Sequence, residues 1–304
     1  VVGCRRVPCA PVTLMVDVMK IVALYTFLLL AVTPAFAGQH NPQAAPADYL
    51  QDRGPGVSTS MFGTYVRKHE LIVYPFYEHY RDHDFEYKPE EFGAAGDADF
   101  RGRYRAHEAL VFLAYGVSDN LAVEFETAFI DASLRKSPAD TSLLPSETRE
   151  WGLGDVEGQI RWRWRTETED RPEWFSYAEF VVPHAASKPL IGTPGVEMKF
   201  GTAVVRGFNW GTVTARAAID YARASSTPWD VGEYAIEYLK RLSPKWRVYV
   251  GLEGEQDELS VITEAQWHIL PHGFIRLNNG RGVTSKATDW SPELGMVFTI
   301  PVSK

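Results

Sequence analysis

Val156-Glu157-Gly158-Gln159-Ile160-Arg161-Trp162-Arg163-Trp164 changes character at every step. Successive side chains of an extended chain point to opposite sides. Val156, Gly158, Ile160, Trp162 and Trp164 therefore share one face, and Glu157, Gln159, Arg161 and Arg163 share the other. The same period runs outward along the chain. Leu121, Val123, Phe125 and Phe129 oppose Glu124 and Glu126; Val213, Ala215, Ala217, Ile219 and Tyr221 oppose Thr212, Thr214, Arg216 and Asp220. Trp246, Val248, Val250 and Leu252 oppose Arg247, Tyr249, Glu253 and Glu255, and Val261, Ala265, Trp267 and Ile269 oppose Ser260, Glu264, Gln266 and His268. No segment after about Lys68 keeps a helical period over three turns, so the chain reads as all-β.

Twelve strands are expected, over 68–82, 101–116, 120–132, 154–166, 173–183, 196–207, 210–223, 231–242, 245–255, 258–270, 273–283 and 290–300. Short links such as Val117-Ser118-Asp119, Phe208-Asn209 and Leu270-Pro271-His272 alternate with longer ones over 83–100, 133–153, 184–195 and 224–230. The links after the ninth and eleventh strands are shorter than this alternation wants. A soluble sandwich also alternates, with its apolar face inward. Three features point to the inverted arrangement. The strands are long enough for a tilted bilayer crossing of roughly 9–11 residues, where soluble strands average about 5–6. Trp151, Trp164, Trp174, Trp210, Trp246, Trp267 and Trp290 fall near strand ends, as an interfacial girdle requires. Short turns alternate with long loops, and an even strand number puts both termini on the periplasmic side. Lipid leaves an open sheet edge unsatisfied, so the sheet must close. The expected fold is a transmembrane antiparallel up-and-down β-barrel of about 12 strands, occupying 67–304.

The N-terminal region reads as an address. Met19-Lys20, the apolar run Ile21–Val32 and Ala35-Phe36-Ala37 before Gly38 have the charge, length and small-residue pattern of a secretory signal peptide. The run is too short to span a bilayer. Residues 1–18 are read as an upstream extension, 19–37 as the signal, cut after Ala37, and 38–66 as a mobile leader that could plug the barrel. Cys4 and Cys9, the two cysteines of the 304 residues, leave with the signal, which excludes disulfide and thiol chemistry. Removal of Arg5, Arg6, Asp17 and Lys20 takes 31 basic and 39 acidic residues to 28 and 38, and the net charge from −8 to −10. That sign argues against nucleic acid as a partner.

At Trp151-Gly152-Leu153-Gly154-Asp155-Val156, leading into Gln159-Ile160-Arg161-Trp162, the chain resembles putative outer-membrane transporters grouped with the phenol-degradation meta-pathway barrel proteins. The resemblance implies an outer-membrane barrel that admits small, often apolar molecules, and it assigns no binding residue. On residue chemistry alone, Gly152 and Gly154 read as a tight turn in which Asp155 bonds local amides.

The inward face supplies the candidate site residues: Glu124, Glu126, Glu157, Arg161, Arg163, Arg216, Asp220, Arg247, Glu253, Glu264 and His268. They would either line a water-filled path, setting selectivity by field and bore, or simply fill and cross-link the lumen. His79, Asp82, His83 and Asp84 gather possible metal donors at the first long loop, but no ligand-spacing rule is met. No cofactor is expected. A lipid hydrolase would need a serine with a positioned histidine; His184 near Ser187, and His268 beside Glu264, carry no distinctive motif, and the expectation is a non-enzyme. The function expected is a channel or transporter for small molecules, hydrophobic ones among them, in a bacterial outer membrane. A non-conducting structural or adhesive barrel is the alternative, and a lipid hydrolase ranks third. Expected partners are outer-membrane lipid and lipopolysaccharide, the barrel-assembly machinery and a small-molecule solute.

Overall fold

A computed structural model describes residues 47–223 and 228–302. The signal segment, its cleavage site after Ala37, the upstream extension and the first part of the leader lie outside the described residues. Two short strands, β1 (Val57–Ser58) and β2 (Tyr65–Val66), form a hairpin preceded by a 3₁₀ turn at Asp48–Leu50. Twelve long strands follow. They are β3 (Glu70–Tyr87), β4 (Phe100–Gly116), β5 (Leu121–Arg135), β6 (Glu147–Arg165), β7 (Glu173–Val182) and β8 (Glu197–Phe208). The second half comprises β9 (Gly211–Ala222), β10 (Trp229–Ser243), β11 (Trp246–Glu255), β12 (Glu258–Leu270), β13 (Gly273–Gly282) and β14 (Ser291–Pro301). Each pairs antiparallel with its sequence neighbour, and β14 returns to β3 through Pro301↔Glu70 to Glu293↔Glu78, closing the barrel. One end bears short turns, and the other bears the connections 88–99, 136–146 and 183–196.

The two faces divide as the alternation requires. Ile160, Trp162 and Trp164 are each about half exposed on the outside, at 48%, 58% and 48%, whereas Arg161 and Gln159 are buried inside. Leu294 and Ile300 of the closing strand also face outward. Outward aromatics gather at the strand ends. Trp164 meets Trp174 at 5.5 Å, Trp246 stacks on Trp267 at 5.7 Å, and Trp210 stacks on Phe208 and Tyr238, all at the turn end. At the loop end Trp151 lies beside Phe129, and Trp229 beside Tyr221. Such a pair of belts places indole rings where an apolar band meets water.

Two local departures from the expected pattern have a common cause. Strand β6 begins at Glu147, seven residues before the expected Gly154, and Gly152-Leu153-Gly154-Asp155 lies within it. The register slips between Thr127 and Phe129 of the neighbouring strand, so a bulge there interrupts the alternation. Gly152, at φ 138°, adopts a backbone conformation open to glycine. Asp155 does not bond its own turn. It accepts main-chain N–H bonds from His184, Ala185 and Thr193 and the Thr193 hydroxyl, pinning the 183–196 loop.

The barrel wall has a polar interior around part of its circumference only. Ile72, Tyr74 and Phe76 of β3 and Leu110, Phe112 and Ala114 of β4 point inward and pack with Val57 and Val66 of the hairpin. Nearer the loop end, Leu190 and Ile191 of the pinned loop fold inward onto Tyr87, Ala106, Ala132 and Leu134. The lumen thus holds protein-like packing that simple inside-polar alternation does not anticipate. A test of the outward face follows from Ile236, 63% exposed in the middle of β10. Ile236→Arg is expected to lower folding stability in a phospholipid bilayer by about 2–4 kcal/mol, read from denaturant-dependent refolding. The same change at the girdle position Trp246 should cost less.

Candidate functional site

The lumen is organised by buried arginines. Arg216 of β9 faces Glu233 and Glu237 of β10 and Glu253 of β11, at 2.8 Å from Glu237 and 2.9 Å from Glu253. Arg276 of β13 lies 2.6 Å from Glu264 of β12 and 3.4 Å from Glu293 of β14. Arg161 lies 3.8 Å from Glu124 and rests on the faces of Phe175 and Tyr177. These charges come from neighbouring strands because inward positions in register stand side by side across the sheet. Removed from water, each needs a counter-charge in place.

Into this framework runs the segment 47–66. Arg53 reaches 3.0 Å from both Glu167 and Glu173, all three fully buried. Asp52 lies 3.3 Å from Lys240 and accepts the Arg241 N–H at 2.8 Å. Arg163 donates to the Gly56 carbonyl and lies 3.2 Å from Glu173. Ser60 donates its hydroxyl to Glu124 at 2.6 Å and its N–H at 3.0 Å. At the hairpin tip Phe62 lies between Arg216 and Arg276, with guanidinium-to-ring distances of 5.1 and 5.8 Å, and stacks on Tyr249. The segment therefore bonds to β5, β6, β7 and β10 and fills the turn-end half of the lumen.

Above Ser60, Met61 and Phe62, towards the loop end, a cavity of about 980 Å³ remains. Its lining includes 14 carboxylates, among them Glu126, Glu157, Glu179, Asp220 and Glu258, against the cations Lys199 and Arg276. Lys199 is engaged by Glu233 and Glu255 at 3.6 and 3.5 Å. One side of the cavity is apolar, formed by Phe76, Leu110, Ile130, Leu190 and Ile191. The lining is rich in acid, and carboxylates that are ionised there attract cations.

The residues singled out in the sequence separate into three sets. Glu126, Glu157, Asp220 and Glu253 line the cavity. Glu124, Arg161, Arg163, Arg216 and Glu264 are tied into the buried ion pairs beside or beneath the hairpin. Arg247 faces Gly54 of the inserted segment, and the His268 ring packs against Phe274. Arg53, Asp52, Phe62, Glu167 and Glu173 carry no sequence signal of their role. The first three lie in a stretch without periodicity, and Glu167 lies in a turn. Glu173 shares a face with inward Phe175 and Tyr177, so the mixed polarity of that face conceals it.

His79, Asp82, His83 and Asp84 come to no common point. His79 stacks on His107 at 4.5 Å on the outer face. Asp82 is buried and accepts the Asp84 N–H. His83 bonds Asp289 at 2.6 Å, and this hydrogen bond holds the Asp289 carboxyl below the usual range. The cause of the separation is strand pleat, which sends neighbours to opposite faces, together with the register shift between Asp82 and Phe85. Among the described residues no group of three or more metal-donor side chains converges. His184 offers its main-chain N–H to Asp155, and no hydrogen bond joins its ring to Ser187 among the described residues.

No protein-family model matches the chain, and no curated protein matches its sequence. Solved structures do match its fold. An outer membrane channel from Pseudomonas putida F1 is similar over 85% of this chain and 100% of its own, with a TM-score of 0.55 at 15% identity. The translocator domain of the autotransporter NalP from Neisseria meningitidis is similar over 93% of this chain and 97% of its own, with a TM-score of 0.50 at 10% identity. At these identities the likeness is one of fold.

The buried pairs make a sharp energetic prediction. Arg276→Ala leaves Glu264 and Glu293 without their cation and should destabilise the barrel by about 3–5 kcal/mol. Arg276→Met combined with Glu264→Gln should recover much of that loss. Guanidinium midpoints of the refolded barrel measure both; equal losses in the single and double variants would contradict the assignment.

Proposed function

We propose that the chain is an outer-membrane channel for small molecules, with an acidic outer chamber and an N-terminal hairpin as its closed gate. The observation that carries this reading is the cavity of about 980 Å³, walled by carboxylates on one side and apolar side chains on the other, ending on Phe62. Such a chamber suits molecules with an apolar body and a cationic or neutral polar group. The carboxylates raise the local concentration of cations, and the apolar wall receives the body. The likeness in fold to an outer membrane channel of Pseudomonas putida agrees with this reading. Export through the signal segment 19–37 belongs to it, as does assembly in a lipopolysaccharide-containing membrane.

Passage requires the hairpin to leave. Two kinds of contact hold it: ion pairs and hydrogen bonds, which water can replace once the segment moves, and the apolar packing of Val57, Met61 and Val66, which must be given up. Those same contacts also favour a second reading, in which the hairpin never leaves and the barrel serves as a non-conducting scaffold.

Planar-bilayer recording separates the two. The full chain should give small or intermittent conductance, and deletion of 47–66 should give a larger, steady one that favours cations. Glu126→Gln with Glu157→Gln and Glu253→Gln should weaken the cation preference of the deleted form while leaving its bore. Silence of both the full chain and the deletion, in barrels shown to be folded, would favour the scaffold.

A further inference from the structure

The outer face of β3 to β6 carries an ordered series of rows near the loop end. Tyr77, Ala109, Phe129 and Leu153 stand in register across the four strands. Two residues further toward the loops come His79, His107, Asp131 and Trp151, and then Arg81, Arg105, Ser133 and Arg149. The last row is Arg103, Arg135 and Glu147. Over about 20 Å along the strands, at roughly 3.3 Å per residue, the surface passes from apolar through aromatic to cationic.

Of the five arginines at the top of this series, two are matched within the protein and three are not. Arg149 lies 2.6 Å from Asp131, and Arg135 lies 3.8 Å from Glu147. Arg81, Arg103 and Arg105 are exposed and have no carboxylate within 4 Å among the described residues. Arg81 and Arg105 stand directly opposite each other, an arrangement that weakens a strand pair when nothing neutralises it. A hollow of about 160 Å³ opens among Arg81, Arg103, Arg105 and Arg135, and His83, Tyr104, Ser133 and the two carboxylates Asp82 and Glu147 complete its lining. In a chain of net charge −8, whose buried arginines of the lumen lie beside glutamates, this field calls for an anion from outside.

We propose that this face binds a phosphorylated glycolipid of the outer leaflet, with Arg81, Arg103 and Arg105 clamping the phosphates of lipid A in lipopolysaccharide. Planar guanidinium groups suit phosphate oxygens, which accept two parallel N–H bonds from each. The sugar backbone lies along the His79, His107 and Trp151 row, and the acyl chains lie on the apolar rows below. That continuous apolar surface selects a lipid over free phosphate, which would use the arginines alone. The inference rests on the outer-membrane reading of the barrel.

The test compares the refolded full chain in phospholipid vesicles doped with bisphosphorylated lipid A or with its phosphate-free form. Retention of lipid on the purified protein is the readout. The phosphorylated lipid should bind at least about tenfold more tightly, given the strength of charge-assisted hydrogen bonds. Arg81→Gln, Arg103→Gln and Arg105→Gln together should remove that preference, whereas Arg165→Gln with Arg171→Gln, at the turn end, should leave it intact. Heat-dependent gel migration establishes that each variant is folded. Equal binding of the two lipids, an unchanged triple variant, or displacement by equimolar inorganic phosphate would overturn the proposal while leaving the membrane barrel standing. Failure of the full chain to insert into any vesicle would instead overturn the outer-membrane reading itself.

Discussion

Closure of the sheet is the constraint from which the remaining structure follows. Strands whose outward faces carry side chains such as Ile160, Trp162, Leu252 and Leu294 present polar backbone to an apolar surrounding unless each edge is paired. The pairing of β14 with β3 removes the last free edge. It also creates an interior wider than the inward side chains of 12 strands can fill. That interior must then be packed, wetted or both, and this molecule does each in a different half. The turn-end half is packed by residues 47–66 and the inward aromatics of β3 and β4, and the loop-end half remains open and acidic.

The charges inside the barrel serve two purposes that depend on depth. Where the hairpin fills the lumen, Arg53, Arg161, Arg216 and Arg276 lie beside glutamates at short range, because an unmatched charge there would be costly. Where water enters, carboxylates can stand close together without cations, since solvent screens their repulsion. The excess of acid in the chamber is thus tolerated only because the chamber is open. Phe62, held between Arg216 and Arg276, sits at the boundary of these two regimes. A side chain at that point feels both the packed floor and the field above it.

Much of the wall is legible in the amino-acid sequence. The expected twelve strands match the observed ones to within a few residues over most of their length, because period-two alternation is a local property. The differences fall at strand β3, which continues through His83 and Asp84 to Tyr87, and at the early start of β6. Both segments rise beyond the apolar band, where no lipid imposes alternation, and both contain register shifts. The Gly152–Asp155 motif departs from expectation for the same reason. Its glycines serve a bulge, and its aspartate holds a loop some 30 residues away, a contact with no local signature.

The sequence by itself determined which side chains face outward and which face inward along the regular parts of the strands, since pleat fixes that at each residue between bulges. It also determined the girdle, because aromatic strand ends are read directly from position. Only the tertiary structure decided what the inward residues do. Whether Glu124 meets water, Arg161 or Ser60 depends on the course of a leader whose own residues lack periodicity. Whether Arg81 finds a carboxylate depends on register across four strands. Both are relations between distant segments, and the energies that set them arise only when closure brings those segments together.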